Sequence, residues 1–346
     1  MSRGAAFVPR EGETLVVAVI GAGSWGTAMA RHLALVGART RLLGRRPEQA
    51  AAILESRHNP EYLTKTALPL ALDAGVYTEG DLFDVDLIVM AVPSKAYAEV
   101  AESLAARIPK NVGVLSLTKG VEPATLRRFS ELLQEMWQAS TPRVAVLSGP
   151  NHAEEVTLDQ PTATVIASHD VEFAEALQEL LSTETFRAYV NHDLIGVELA
   201  SAVKNIIAVA TGMGDGVGYG DNARAALMTR GIAEMARLGI ALGAEPLTFA
   251  GLAGLGDLVA TCTSRHSRNR LAGELLAHGH SPAEVESEIG MVAEGLTAAP
   301  AILRLARSKG VEMPITENVV AVVYEGKSVR DSVRDLMLRE RRPERH

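Results

Sequence analysis

Between residue 15 and about residue 190, short unbroken runs of Val, Ile and Leu alternate with longer stretches whose apolar positions recur at helical spacing. The runs at 16–20, 40–43, 87–91, 112–117 and 144–147 predict strands, with 163–167 and 186–190 extending the sheet edge. Because these runs are apolar throughout rather than alternating, they suit strands covered by helices on both faces, hence a parallel sheet. After Asn191 the pattern changes, and from 194 to 338 the chain reads as successive helices. Breaks are expected at Gly212-Met213-Gly214 and at Gly218-Tyr219-Gly220. Pro246, Pro282, Pro300 and Pro314 are expected near helix starts, where a missing N–H costs nothing.

The first strand runs directly into Gly21-Ala22-Gly23-Ser24-Trp25-Gly26 and then into a helical pattern through Met29, Leu33 and Val36. Strand, Gly-x-Gly-x-x-Gly turn and helix in that order form a dinucleotide-binding fingerprint. Gly21 permits the tight turn, Gly23 lets the backbone approach a pyrophosphate, and Gly26 lets helix pack on strand, while the helix N-terminus offers free N–H groups to the anion. The fold class is therefore α/β, an N-terminal Rossmann-type doubly wound sheet over 15–191 with a C-terminal all-α substrate domain over 192–338. Residues 1–14 are taken as a flexible extension and 339–346 as a basic tail.

Where an NAD-binding chain usually places a carboxylate for the ribose hydroxyls, this one reads Leu43-Gly44-Arg45-Arg46-Pro47. Two guanidiniums there suit a 2′-phosphate, which predicts NADP(H), with NAD(H) as the alternative cofactor. The bland reading makes Arg45 and Arg46 solvated helix-start residues.

Composition sets limits on partners. At 346 residues, 47% hydrophobic and 22% charged, the chain is long enough for two cores. A net charge of -8 excludes a broad nucleic-acid surface. A single cysteine, Cys262, allows no internal disulfide and fits a reducing, cytoplasmic compartment. No membrane span is expected, since the most apolar later stretch, 205–210, is far shorter than the ~20 residues a span needs. No metal is expected either, because His278 and His280 lack other ligands nearby.

For chemistry, Lys119-Gly120 and Ser148-Gly149-Pro150 follow strands, at the end of the sheet where such folds gather ligands. Lys204 lies inside the apolar helical stretch ELASAVKNIIAVATG and must be desolvated, paired or functional. The segment from Gly254 to Arg270 concentrates glycine, a carboxylate, hydroxyls and guanidiniums, a mixture suited to a phosphorylated polyol.

Taken in order, GAGSWGTA, VPS at Val92, TKG at Thr118, SGP at Ser148, AVKNIIA at Ala202, GLGDL at Gly254, TCTSRHSRNR at Thr261, AEG at Ala293 and VEMPIT at Val311 resemble the bacterial-type NAD(P)-dependent glycerol-3-phosphate dehydrogenases across nearly the whole chain. The resemblance implies a homodimer that interconverts dihydroxyacetone phosphate and sn-glycerol 3-phosphate and feeds glycerophospholipid synthesis. It makes Lys204 the proton donor and acceptor. Gly149, Asn151, Asp257, Ser267 and Asn269 line the substrate, and Ser24, Trp25, Arg45, Ala153, Val292 and Glu294 contact the dinucleotide. Lys119 and Arg268 touch both. Arg268 and Lys119 would hold the phosphate, and Asp257 would orient Lys204 or a substrate hydroxyl. One departure is Asn151-His152 after SGP, where relatives often carry Ser or Thr and then an apolar or aromatic residue. His152 reads as an alternative acid or, more simply, as a packing residue.

Three other readings compete. Lys204 could form a structural ion pair with Glu198 or Asp257. A β-hydroxyacid or ketopantoate-type reductase shares the architecture and the lysine but needs fewer phosphate ligands. A silent NADPH-binding sensor would keep the glycines without needing Lys204 or Arg268-Asn269.

Overall fold

The computed structural model describes residues 14–80, 82–290 and 292–338, so the expected extension at 1–14, save Thr14, and the expected tail at 339–346 lie outside the described residues. The chain begins β1 (Val16–Ile20), α1 (Ser24–Leu35), β2 (Arg39–Gly44), α2 (Pro47–Ser56), β3 (Leu72–Val76), β4 (Leu87–Met90), α3 (Tyr97–Leu104), β5 (Gly113–Ser116) and α4 (Phe129–Met136). It continues through β6 (Arg143–Ser148), α5 (Ala153–Thr157), β7 (Thr162–Ala167), α6 (Val171–Leu181) and β8 (Phe186–Asn191). The strands form one sheet of order β3-β2-β1-β4-β5-β6-β7-β8, parallel except between β6 and β7.

All seven predicted strands are present. The eighth, β3, lacks the signal that marks the others: Leu72-Asp73-Ala74-Gly75-Val76 carries a carboxylate and a glycine because it is an edge strand with one neighbour. Inner strands such as β4 and β5 are buried at every position, and separate apolar clusters cover the two faces of the sheet.

The helical domain comprises α7 (Leu194–Gly216), α8 (Asp221–Ala241), α9 (Asp257–Thr263), α10 (Arg268–Ala277), α11 (Pro282–Ile289), α12 (Glu294–Ser308), α13 (Pro314–Glu325) and α14 (Val329–Met337). Among the described residues α7 alone is long and apolar enough to cross a bilayer, yet it is the central helix of this domain, covered by α8, α10 and α12.

Two expectations are corrected. Gly212-Met213-Gly214 does not break the chain; α7 runs straight through it. These positions are small because α10 crosses there: a Cβ on Gly212 would lie 1.9 Å from the Arg270 carbonyl oxygen, and one on Gly273 would lie 2.1 Å from that of Val209. The Gly218-Tyr219-Gly220 break does separate α7 from α8. Pro282 and Pro314 open α11 and α13, and Pro246 opens a 3-10 turn, but Pro300 lies inside α12. Its missing N–H leaves the Leu296 carbonyl, four residues back, without its helical donor, and the Tyr324 hydroxyl of α13 donates to that oxygen at 2.9 Å.

Because all three of the nearest atoms that a methyl at residue 212 would meet belong to the Arg270 backbone, Gly212→Ala is expected to lower stability by about 1–3 kcal/mol or more. Urea unfolding measures it, and a midpoint equal to the parent's would contradict the packing argument.

Candidate active site

The C-terminal ends of β1, β4, β5 and β6 face the N-termini of α10 and α12 across a cleft of about 750 Å³. One wall is the glycine turn. Gly21 has φ +113°, and a Cβ there would lie 2.5 Å from the Ala91 carbonyl oxygen, while one on Gly26 would lie 1.9 Å from that of Gly21. Gly23 opens onto the cleft, with nothing within 4 Å of where its Cβ would stand. It also begins α1 without a capping side chain, so N–H groups of the first turn face the cleft. Trp25 lines the same wall, and its buried indole N–H has no partner among the described residues. Open backbone, an uncapped helix start and an orphan donor fit the phosphate-linked dinucleotide that the fingerprint calls for.

Asn59 holds this wall in place, donating to the Ala22 carbonyl at 3.0 Å and to Thr27 Oγ1 at 2.9 Å while its own oxygen accepts from the backbone of Glu61 and Tyr62. Arg45 and Arg46 are exposed at the rim, and Arg46 pairs with Glu61. Ser24, Ala153, Val292 and Glu294 also line the cleft. Glu294, first residue of α12, accepts from the Ser94 N–H at 3.2 Å and from its hydroxyl, joining the β4–α3 loop to the helical domain. Burial pushes its carboxyl above the usual range, against the pull of Ser94 and Arg268.

At the inner end lies Lys204, 4% exposed. Its Nζ donates to Asp257 Oδ1 at 2.5 Å and to Thr261 Oγ1 at 2.6 Å. Asp257 is as buried, and its other oxygen accepts from Lys119 Nζ at 3.1 Å and Ser148 Oγ at 3.3 Å. Desolvation lowers the Lys204 pKa to about 7; Asp257 opposes the fall and Lys119 adds to it. Burial alone would raise the Asp257 carboxyl, but the two ammonium groups hold it below its ordinary value. Of the two carboxylates open from sequence, Asp257 is thus the partner of Lys204, and Glu198 turns away to Arg128 and Ser130.

The outer wall is the start of α10. Ser267 caps it, accepting from the Arg270 N–H at 3.2 Å, and Arg268 lines the cleft beside it. Asn269 donates to Asn205 Oδ1 at 3.0 Å and accepts from the Gly295 N–H at 2.8 Å, tying α7, α10 and α12 together. Asn151 donates to Thr164 Oγ1 at 2.9 Å. Gly26 and Gly149 do not line the cleft; they shape its backbone, Gly149 with φ +147° and no room for a Cβ against Thr164. His152 lines the cleft too, with burial as the main cause and then Lys204 and Lys119 lowering its pKa, which keeps the imidazole neutral rather than a ready acid.

Sequence reasoning gave no role to Thr261, Asn205, Asn59 or the hydroxyls of Ser94 and Ser148. Thr261 was within reach, since it follows Asp257 by one helical turn and shares its face. The others depend on contacts between distant segments.

A fingerprint turn on a Rossmann-type sheet, with a desolvated lysine at the far end of one cleft, defines a nicotinamide-dependent oxidoreductase. Family models narrow the class. The NAD-dependent glycerol-3-phosphate dehydrogenase N-terminus matches residues 16–174 and the C-terminus of the same family matches 193–334, and the chain belongs to this family. It is 51% identical to a glycerol-3-phosphate dehydrogenase [NAD(P)+] of Moorella thermoacetica, over 94% of this chain and 96% of that one. A protein of the same description from Chlorobium luteolum is 46% identical over 95% and 99%. The crystal structure of a glycerol-3-phosphate dehydrogenase from Coxiella burnetii superposes with TM-score 0.89 at 38% identity, covering 94% of this chain and 99% of that one.

The opposed effects of Asp257 and Lys119 on Lys204 give a titration test. Lys119→Met is expected to move the Lys204 pKa up from about 7, and Asp257→Asn to move it further down. Amine-reactive labelling of Lys204 against pH, read by peptide mass spectrometry, measures both. Shifts of the same sign in the two variants would refute the arrangement.

Proposed function

We propose that this protein catalyses the reversible NAD(P)H-dependent reduction of dihydroxyacetone phosphate to sn-glycerol 3-phosphate. The observation that carries the reading is the Lys204–Asp257–Lys119 cluster, set between the glycine turn and the Arg268 wall of one cleft. Two ammonium groups against one carboxylate leave a surplus positive charge, and Arg268 adds to it, as a phosphate dianion requires. Relatives bearing the same reaction in their names match over nearly the whole chain.

Gly21, Gly23, Ser24, Trp25 and Gly26 would seat the dinucleotide, with Arg45 and Arg46 at its 2′-phosphate and Lys119, Ala153, Arg268, Val292 and Glu294 completing the contacts. When bound, the nicotinamide supplies the hydride to the substrate carbonyl carbon. Lys204 would give its proton to the carbonyl oxygen as negative charge gathers there, and regain one from solvent. In the reverse direction the neutral amine would take the hydroxyl proton. A pKa near 7 lets one lysine serve both directions at neutral pH. Asp257 and Thr261 would aim Lys204, while Lys119 and Arg268 grip the phosphate and Gly149, Asn151, Ser267 and Asn269 shape the pocket around the triose.

Domain limits of 15–191 and 192–338 belong to the same reading, since β8 ends at Asn191 and α7 begins at Leu194. So do the cytoplasmic location, supported by the single buried thiol of Cys262, and the homodimer and the supply of glycerophospholipid synthesis, supported by the family resemblance.

The direct test mixes protein, NADPH and dihydroxyacetone phosphate and follows loss of reduced-nicotinamide absorbance, with ketopantoate as control. No oxidation across several pH values would overturn the reaction. NADPH is expected to give the higher kcat/KM; equal or better use of NADH would remove the role given to Arg45 and Arg46. Lys204→Met is expected to lower kcat by about 10²–10⁴ with nucleotide binding intact, because Asp257 keeps Lys119 as a partner. In the parent, reduction needs the ammonium and should fade as pH rises through about 7, while oxidation needs the amine and should grow over the same interval. Profiles of equal slope would reject Lys204 as the proton carrier.

A further inference from the structure

Lys119 reaches the Lys204–Asp257 pair from a loop, not from a strand or helix. Residues 117–128 leave the end of β5 and return to the start of α4, so a cation that must hold a position within an ångström or so sits on irregular chain. The loop is closed on itself by an antiparallel bridge between Val121 and Arg128 and by the Glu122 N–H to Arg127 carbonyl bond of 2.8 Å. At its near end Thr118 Oγ1 donates to the Val92 carbonyl at 2.8 Å. Those bonds all lie within the sheet domain and fix the loop's shape, not its place against the helical domain.

That placement comes chiefly from α7, with one further bond from α12, whose Arg304 Nη2 donates to the Pro123 carbonyl. Glu198, 4% exposed, accepts from the Ser130 N–H at 3.0 Å, the Ser130 hydroxyl at 2.5 Å and Arg128 Nη1 at 2.7 Å. The carboxylate therefore caps the start of α4 from another domain while pairing with the residue that closes the loop. Beside it Val121, although it belongs to the loop, packs into the core of the helical domain with Leu199, Ala202 and Val203. Glu198 precedes Lys204 by six residues on one continuous helix, so the anchor of the Lys119 loop and the proton-carrying lysine are parts of the same rigid rod.

We propose that Glu198 is a positioning residue, which through Ser130 and Arg128 holds the Lys119 loop at the distance from Lys204 that the phosphorylated substrate needs. The proposal rests on the reaction proposed above. It separates Glu198 from a core ion pair of purely structural value, since removal of a mere support would weaken every function of the protein together. A positioning residue acts through Lys119 and loses its effect once Lys119 is gone.

The experiment is a double-mutant cycle. Glu198→Gln is made in the parent and in Lys119→Ala, and each protein is assayed for dihydroxyacetone phosphate reduction and, by fluorescence titration, for NADPH binding. In the parent background kcat/KM is expected to fall by about tenfold to a hundredfold, with the NADPH Kd unchanged within about twofold. In the Lys119→Ala background the same change should cost less than about twofold. Equal losses in both backgrounds, a parallel loss of NADPH affinity, or parent-like activity would overturn the proposal. If Glu198→Gln does not fold, Ser130→Ala carries the cycle, removing one bond to the same carboxylate; a loss of about threefold confined to the Lys119-containing background is then expected, and an equal loss in both overturns it. A parent inactive on dihydroxyacetone phosphate would strike down the reaction itself, whereas an active parent indifferent to Glu198 strikes down only the positioning role.

Discussion

A lysine in the middle of an apolar helix is the constraint around which the rest is arranged. Removing an ammonium from water costs several kcal/mol even after the surroundings relax, and α7 cannot repay that from its own residues. Asp257 does so from α9, and Thr261, one turn further along that helix, takes a second hydrogen bond. The repayment is incomplete in the useful direction. Lys119 and Ser148 bind the same carboxylate from the sheet domain, so Asp257 is shared and Lys204 stays close to losing its proton. The carboxylate that ties the sheet domain to the helical domain thus holds Lys204 without cancelling the desolvation that brings its pKa to about 7.

Such a pair holds its geometry only if the helices around it cannot drift. Glycine achieves this at the crossings. Gly212 and Gly273 bring α10 onto the backbone of α7, and a Cβ on Gly295 would lie 2.3 Å from the Asn205 carbonyl oxygen, so α12 is seated as tightly. These contacts place the first turns of α10 and α12, hence Arg268, Asn269 and Glu294, at the cleft. The hydrogen-bond chain from Asn205 through Asn269 to the Gly295 N–H then fixes their rotation. A feature that costs helix propensity locally is what puts the outer wall of the site in place.

The difference between what the sequence reveals and what it hides follows from this. Strands buried on both faces announce themselves by continuous apolar runs; β3, with one neighbour and Asp73 and Gly75 in it, does not. Gly212-Met213-Gly214 reads as a turn because local propensity is all that a single chain displays, whereas the reason for those glycines lies some sixty residues away at Arg270. Pro300 misleads likewise, since only the fold brings Tyr324 to the carbonyl it orphans. At the site, residue types were legible and pairings were not. Lys204 read as desolvated, paired or functional, with Glu198 and Asp257 both open as a pair, but six residues along a helix is not a facing distance and only the tertiary fold brings Asp257 across.

The chain as a whole is acidic, with a net charge of -8, yet the cleft sets Lys119 and Lys204 on Asp257 and carries Arg268 in its wall. In the proposed reaction an anionic substrate would meet this local concentration of positive charge rather than the protein's overall field. Lys119 lowers the proton affinity of Lys204, adding to the larger effect of desolvation. In the proposed reaction a phosphate dianion against Lys119 offsets that cation, and the offset raises the proton affinity of Lys204 at the moment when a proton donor is required. Grip on the phosphate and readiness to protonate the carbonyl oxygen are then one electrostatic event, which is why the position of Lys119 relative to Lys204 matters more than the strength of either contact alone.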